Sequence, residues 1–122
     1  MGRKPQGWRI ELRSADSSCN PYLGAAMVLA AGLEGVRAAA DPGEPNRHNM
    51  YQAAEDELRA KGIRQLPRTL GEALEAFAED PLSEQVFGAD MKTAWLDYKR
   101  EEWLSYMAHV SEWETERYLE FF

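Results

Sequence analysis

Polar and apolar residues alternate from Gly7 to Ser14 in the run Gly7-Trp8-Arg9-Ile10-Glu11-Leu12-Arg13-Ser14. In extended chain, side chains two apart point the same way, roughly 6.5–7 Å from one another. Arg9, Glu11 and Arg13 therefore share one face, and Trp8, Ile10 and Leu12 share the other. This predicts a short strand within residues 1–15, its apolar face packed on the body of the protein. Asp16, Ser17 and Ser18 read as a turn whose side-chain oxygens replace lost backbone partners. Asn20 then reads as an N-cap with Pro21 at the first helical position. The helix it opens is expected over residues 20–40, stopped by Asp41-Pro42. Its first turns are apolar on every side, through Leu23, Ala26, Met27, Val28, Leu29 and Leu33, which predicts burial all round. Gly24, Gly32 and Gly35 each cost about 1 kcal/mol inside a helix, so close packing must hold it.

Residues 41–66 read as a loop with a short helix, and residues 67–122 as further helices. Thr69 and Glu72 have capping-box spacing ahead of Leu70, Leu74 and Phe77, and Asp80-Pro81 repeats the cap-then-proline pattern. From Met91 to His109, Met91, Trp95 and Tyr98, with Leu96, Trp103, Met107 and Val110 beside them, form a broad apolar stripe. Lys92, Asp97, Lys99, Arg100 and Glu101 are expected on the opposite side. Ser111 and Glu114 make a second capping box, which carries Trp113, Tyr118, Leu119, Phe121 and Phe122. The chain thus reads as mainly α with a short N-terminal β-strand.

Composition narrows the classes. At 122 residues the chain is one domain or a piece of one. Its net charge is −7, yet residues 1–13 carry Arg3, Lys4, Arg9 and Arg13 against Glu11 alone. The basic end is the candidate anion site. The acidic remainder argues against nucleic acid, which requires a basic face to displace counterions, and Glu112, Glu114, Glu116 and Glu120 would repel phosphate from the C-terminal aromatics. Cys19, a single cysteine, makes no disulfide framework and fits a reducing cytoplasm; a small packed residue is its expected role. The apolar run from Tyr22 to Leu33 falls short of the roughly 20 residues that a membrane span needs. No apolar core of secretory-signal length follows Met1 to Gln6. His48, in the loop, is expected to face solvent.

On the charged face, a carboxylate flanked by two guanidinium groups is held as an acceptor, the form a cation ligand requires, while the two forks suit phosphate or carboxylate oxygens. Taken alone, Arg-x-Glu-x-Arg on an exposed strand is most often a solvated charge ladder whose pairs contribute little. The residues that follow add more. Arg9 to Arg13 continue through Asp16 to Asn20-Pro21-Tyr22-Leu23, then Ala25-Ala26, then Ala31-Gly32-Leu33-Glu34-Gly35-Val36. This resembles the glutamine synthetase family, whose catalytic segment reads R-[IV]-E-x-R-x-x-D-x-x-x-N-P-Y-L, then A-A, then A-G-L-[DE]-G-[IV]. Asn49-Met50-Tyr51 resembles the family's N-[LM]-Y segment, and Leu66-Pro67-Arg68-Thr69-Leu70 with Glu72-Ala73 its L-P-x-[ST]-L-x-E-A segment. The ending, through Asp80-Pro81-Leu82 and Trp113-Glu114 to Arg117-Tyr118-Leu119, is most similar to the branch with γ-glutamylmethylamide synthetases. Trp8 departs from the small or basic residue that many members carry.

The resemblance implies the C-terminal portion of an α+β catalytic domain, lacking the family's N-terminal β-grasp domain and most of its catalytic domain. It implies an ATP-dependent ligase that joins glutamate to ammonia or a small amine through a γ-glutamyl phosphate, with Mg²⁺ or Mn²⁺ in the complete enzyme. By the same resemblance Glu11 is a metal ligand, and Arg9, with Arg3 of the Arg3-Lys4-Pro5 segment, binds nucleotide phosphate. Arg13 contacts glutamate and the phosphoryl group, which makes Arg9 and Arg13 the catalytic pair. Tyr51 occupies the place of the tyrosine that some bacterial members have adenylylated; its Gln52-Ala53-Ala54 context also suits a partly buried aromatic. With one carboxylate of the ligand set present, the chain alone is expected to be catalytically silent. A cytoplasmic homo-oligomer is implied. Two alternatives stand beside the ammonia ligase: part of a γ-glutamylmethylamide or γ-glutamylpolyamine synthetase, and a non-catalytic helical module that self-associates or docks through its aromatic helices.

Overall fold

The computed structural model describes residues 7, 10–47, 49 and 52–120. Among them six α-helices follow one another: α1 (Pro21–Arg37), α2 (Glu55–Ala60), α3 (Leu70–Glu79), α4 (Pro81–Phe87), α5 (Ala89–Met107) and α6 (Glu112–Tyr118). The expected strand is not formed among the described residues: Ile10 to Ser14 carries no regular structure. A strand exists only through hydrogen bonds to a neighbour, and no backbone hydrogen bond among the described residues engages this segment. Its apolar face does not pack either, since Ile10 is 84% exposed and Leu12 53%.

Local chemistry sets the helix starts. The Asn20 side chain accepts from the backbone N–H of Tyr22 at 3.0 Å and of Leu23 at 3.3 Å, and Pro21 loses nothing at a position whose N–H has no intrahelical partner. The far end of α1 lies at Arg37, ahead of the Asp41-Pro42 stop. There the Ala39 N–H donates to the Val36 carbonyl and the Ala40 N–H to the Gly35 carbonyl, with Ala39 at φ 47°. This is a Schellman ending, and it closes the helix before proline can.

The centre of the fold is α3, α4 and α5, each packed on the other two, with α1 laid on α4. Two single residues make the corners. Asp80 ends α3 and caps α4, its carboxylate accepting the Leu82 N–H at 2.8 Å. Gly88, at φ 74°, ends α4 and begins α5. Ser83 is fully buried at the first corner, where its hydroxyl donates to the Asp80 carbonyl at 2.6 Å. Leu74, Leu82 and Leu96 are the buried apolar residues. Around them Phe77 meets Phe87 edge-on at 5.2 Å, and Phe87 lies 6.3 Å from Trp95. Gly71 lets the first turn of α3 approach Trp103, since a β-carbon there would stand 2.8 Å from the indole Nε1.

Three expectations are corrected here. The inward face of α5 is Lys92, Trp95, Leu96, Lys99 and Trp103, whereas Met91 and Tyr98 are exposed. Lysine stems pack on apolar surface while their heads reach polar partners: Lys92 Nζ donates to the Ala78 carbonyl near the end of α3 at 2.8 Å, and Lys99 Nζ lies 5.5 Å from the Trp95 ring centroid. Helix α1, expected to be enclosed, has no buried residue, because among the described helices it packs on α4 alone. Cys19 is exposed and free rather than packed away. Helices α2 and α6 pack on no other described helix, and no helix among the described residues is long and apolar enough to cross a membrane.

Candidate functional site

The two described residues of the Arg-x-Glu-x-Arg face meet each other. Arg13 Nε donates to Glu11 Oε1 at 2.7 Å. The spacing of two brings the side chains together although no sheet holds the backbone here. Both are open to solvent, Arg13 at 87% and Glu11 at 55%, so the pair contributes little stability. Arg13 makes no other hydrogen bond among the described residues, so the Nη1 and Nη2 groups of its fork remain free to meet an anion. Arg3, Arg9, His48 and Tyr51 lie outside the described residues.

The turn after this segment is held by its own side chains. The Asp16 carboxylate accepts from the Ser18 hydroxyl at 2.5 Å and the Ser18 N–H at 2.7 Å, and these bonds, the hydroxyl foremost, hold its pKa below the usual carboxylate range. Asp16 is thereby committed to the turn. Behind it a groove of about 920 Å³ opens between the start of α1 and the α3–α5 pair, with Leu23, Met27, Phe77 and Trp95 as its apolar lining and Asp16 and Lys99 among its polar residues. Neither Glu11 nor Arg13 lines it.

No three His, Cys, Asp or Glu side chains converge among the described residues. A magnesium or manganese ion takes about six oxygens, so these residues do not form a cation site by themselves. Glu11 stands as one exposed carboxylate beside one guanidinium.

A second polar cluster has no counterpart in the sequence reading. Arg68 Nη2 donates to Glu55 Oε1 at 2.6 Å and also to Gln65, while the Arg68 N–H donates to Glu72 Oε2 at 2.7 Å. The cluster ties α2 to the start of α3. Residues 55 and 68 are too far apart for any helical or strand period to pair them, so only the closed loop reveals it.

The structure thus brings together a carboxylate and a guanidinium on the segment that leads into a capped, largely apolar helix. Residues 1–118 match the family model described as "Glutamine synthetase, catalytic domain", and the chain belongs to the glutamine synthetase family. It is 47% identical over 114 residues to a glutamine synthetase of Halobacterium salinarum, covering 93% of this chain and 25% of the relative. It is 46% identical over 122 residues to a glutamate–methylamine ligase of Methyloversatilis universalis, covering all of this chain and 27% of the relative. A solved structure described as apo GmaS without ligand superposes with a TM-score of 0.65 at 33% identity, over 83% of this chain and 23% of that one. The chain spans about a quarter of the length of these curated relatives.

Proposed function

We propose that these residues supply one part of the active site of an ATP-dependent glutamate–amine ligase of the glutamine synthetase type. In that reaction a γ-carboxylate oxygen of glutamate attacks the γ-phosphorus of ATP and ADP leaves, giving an acyl phosphate. The amine nitrogen then attacks the acyl carbon, the C–O bond to phosphate breaks, and the nitrogen gives up a proton. Each step accumulates negative charge, which fixed positive groups stabilise most where water is excluded. Arg13 carries the contact to glutamate and the transferred phosphoryl group. Arg9, with Arg3, holds the nucleotide phosphates, and Glu11 contributes one oxygen-donor side chain to a Mg²⁺ or Mn²⁺ ion. The observation that supports the reading is the 2.7 Å Arg13–Glu11 bond, which sets a guanidinium beside a carboxylate and leaves most of the guanidinium donors free.

Either ammonia or methylamine serves as the amine in this reading, since both an ammonia-type synthetase and a methylamine ligase are similar to the chain at nearly equal identity; a polyamine is the third possibility. The isolated 122 residues are silent, because they offer one carboxylate where a cation site needs several ligands. The test restores the chain to a complete ligase, for instance by grafting it over the matching segment of the Methyloversatilis universalis relative, and measures ATP-dependent amide formation. Arg13→Ala should cost about 100-fold or more in kcat/KM. Unchanged kcat/KM in that variant, or amide synthesis by the purified 122-residue chain, overturns the proposal.

A second reading, a non-catalytic module that docks or self-associates through its helices, is favoured by one observation. Tyr98, Tyr106 and Trp113 are exposed at 61%, 70% and 60% on α5 and α6. Arg13→Ala would leave such docking unchanged.

A further inference from the structure

A turn over residues 16–19 is closed by three hydrogen bonds, and all three end on Asp16. Its Oδ1 accepts the Ser18 hydroxyl at 2.5 Å and the Ser18 N–H at 2.7 Å, and its carbonyl accepts the Cys19 N–H at 3.0 Å. Asn20 follows at once as the N-cap of α1, so residues 16–20 run as one fixed piece into the helix. Cys19 seats that piece on the first helical turn, since a β-carbon added at Gly24 would lie 2.9 Å from its Sγ. Ser14, Ala15, Asp16, Ser18, Cys19 and Asn20 line the groove beside α1, α3 and α5, whereas Glu11 and Arg13 do not. The turn is therefore the joint between the helical body and the segment that carries the candidate site residues.

Only Ser14 and Ala15 separate Arg13 from this joint. Three residues reach about 10 Å, and a swing of about 10° over that length moves the far end by about 1.7 Å, where a misplacement of about 1 Å is enough to cost roughly 100-fold in rate. Hydrogen bonds to an ionised acceptor are the stronger kind, which suits a carboxylate to this place. We propose that Asp16 is a positioning residue for amide formation: through the turn over residues 16–19 it sets where the Arg13 guanidinium stands relative to α1, and it touches neither substrate nor cation itself. The inference rests on the reading of Arg13 as the contact to glutamate and the transferred phosphoryl group.

The test uses the complete ligase that carries the grafted chain and reads kcat/KM for glutamate in a double-mutant cycle. Asp16→Ala should cost about 10-fold or more. Asp16→Asn, whose amide oxygen still accepts both Ser18 bonds, should restore most of that loss. In the Arg13→Ala background Asp16→Ala should cost nothing further, because a residue that acts through Arg13 has nothing left to position; a mere loss of folded enzyme would multiply through both backgrounds alike. Ser18→Ala removes the hydroxyl bond and spares the N–H bond, so its loss should be smaller and equally dependent on Arg13. Should Asp16→Ala fail to fold, Ser18→Ala decides by the same two comparisons. Unchanged kcat/KM in Asp16→Ala beside an impaired Arg13→Ala overturns the inference and leaves the ligase reading in place. So does an equal loss in both backgrounds, or an Asp16→Asn enzyme as poor as Asp16→Ala, which would put the carboxylate itself on substrate or cation. Full activity in Arg13→Ala sinks the ligase reading, and the inference with it.

Discussion

The Arg68 guanidinium and the Glu55 carboxylate stand 2.6 Å apart and bridge α2 to the start of α3. Because α2 packs on no other described helix, this bond and its neighbours at Gln65 and Glu72 hold the loop region against the helical centre. The Arg68 hydrogen bond, followed by its charge, keeps the Glu55 pKa below the ordinary range. A carboxylate with a depressed folded pKa lends its stabilisation above the unfolded pKa and loses it as pH falls through the folded one. The α2 amides should therefore lose protection on acidification through that depressed pKa, ahead of α3 and α5. Amide exchange followed across an acid titration checks this, and Glu55→Gln should remove the pH dependence of α2.

Gly71→Ala sets a propensity gain of about 1 kcal/mol against a collision, since the new β-carbon would lie 2.8 Å from Trp103 Nε1 and 2.9 Å from Cε2. Overpacking of that kind costs about 1–3 kcal/mol. Trp103 is half-buried and stacked on Tyr106 at 5.8 Å, so it cannot simply swing aside. The expected result is a lower Tm with a change in tryptophan fluorescence; a raised Tm refutes the packing argument.

Ala39→Gly should act in the opposite direction. A side chain at φ 47° carries a left-handed penalty of about 1–2 kcal/mol, part of which glycine returns through its greater unfolded freedom. A net gain of about 0.5–1 kcal/mol is expected in urea unfolding, with amide protection preserved at Ala40.

Ser111→Ala breaks a reciprocal cap. The Ser111 hydroxyl accepts the Glu114 N–H at 3.2 Å, and the Glu114 carboxylate accepts the Ser111 N–H at 2.8 Å. Loss of such a cap costs about 1 kcal/mol, and because α6 packs on no other described helix the cost should stay local. Amide exchange over residues 112–118 should quicken while the global Tm hardly moves. The Glu114 pKa is lowered first by the Ser111 N–H and then by its hydroxyl, so acid below that depressed pKa should fray α6 in the unmodified chain as the substitution does at neutral pH.

The parts of the fold that were legible in the sequence are those decided within a few residues. Asn20-Pro21, Asp80-Pro81 and Ser111 with Glu114 each place a side-chain acceptor next to orphan N–H groups, and all three cap as read. Thr69 caps α3 too, but Glu72 reaches past it to the Arg68 N–H, a choice of one residue that spacing cannot make. Lys92 and Lys99 read as solvent-facing because charge hides the length of their apolar stems; only the packing of α5 shows them turned inward. Ile10 and Leu12 read as a strand's buried face, and a strand's partner is never local. At the candidate site, Glu11 and Arg13 were legible because a spacing of two is enough to join them, whereas Arg68 and Glu55 needed a loop to close.

The shared corners at Asp80 and Gly88 also bear on time. Helices α3, α4 and α5 are joined with no slack, so every contact of the central unit closes within one stretch of fewer than about 40 residues, and helical topologies with such local closure complete in microseconds to milliseconds. The α3–α5 unit should therefore be complete before α2 and α6, which pack on no other described helix, and stopped-flow tryptophan fluorescence at Trp95 and Trp103 should report it first.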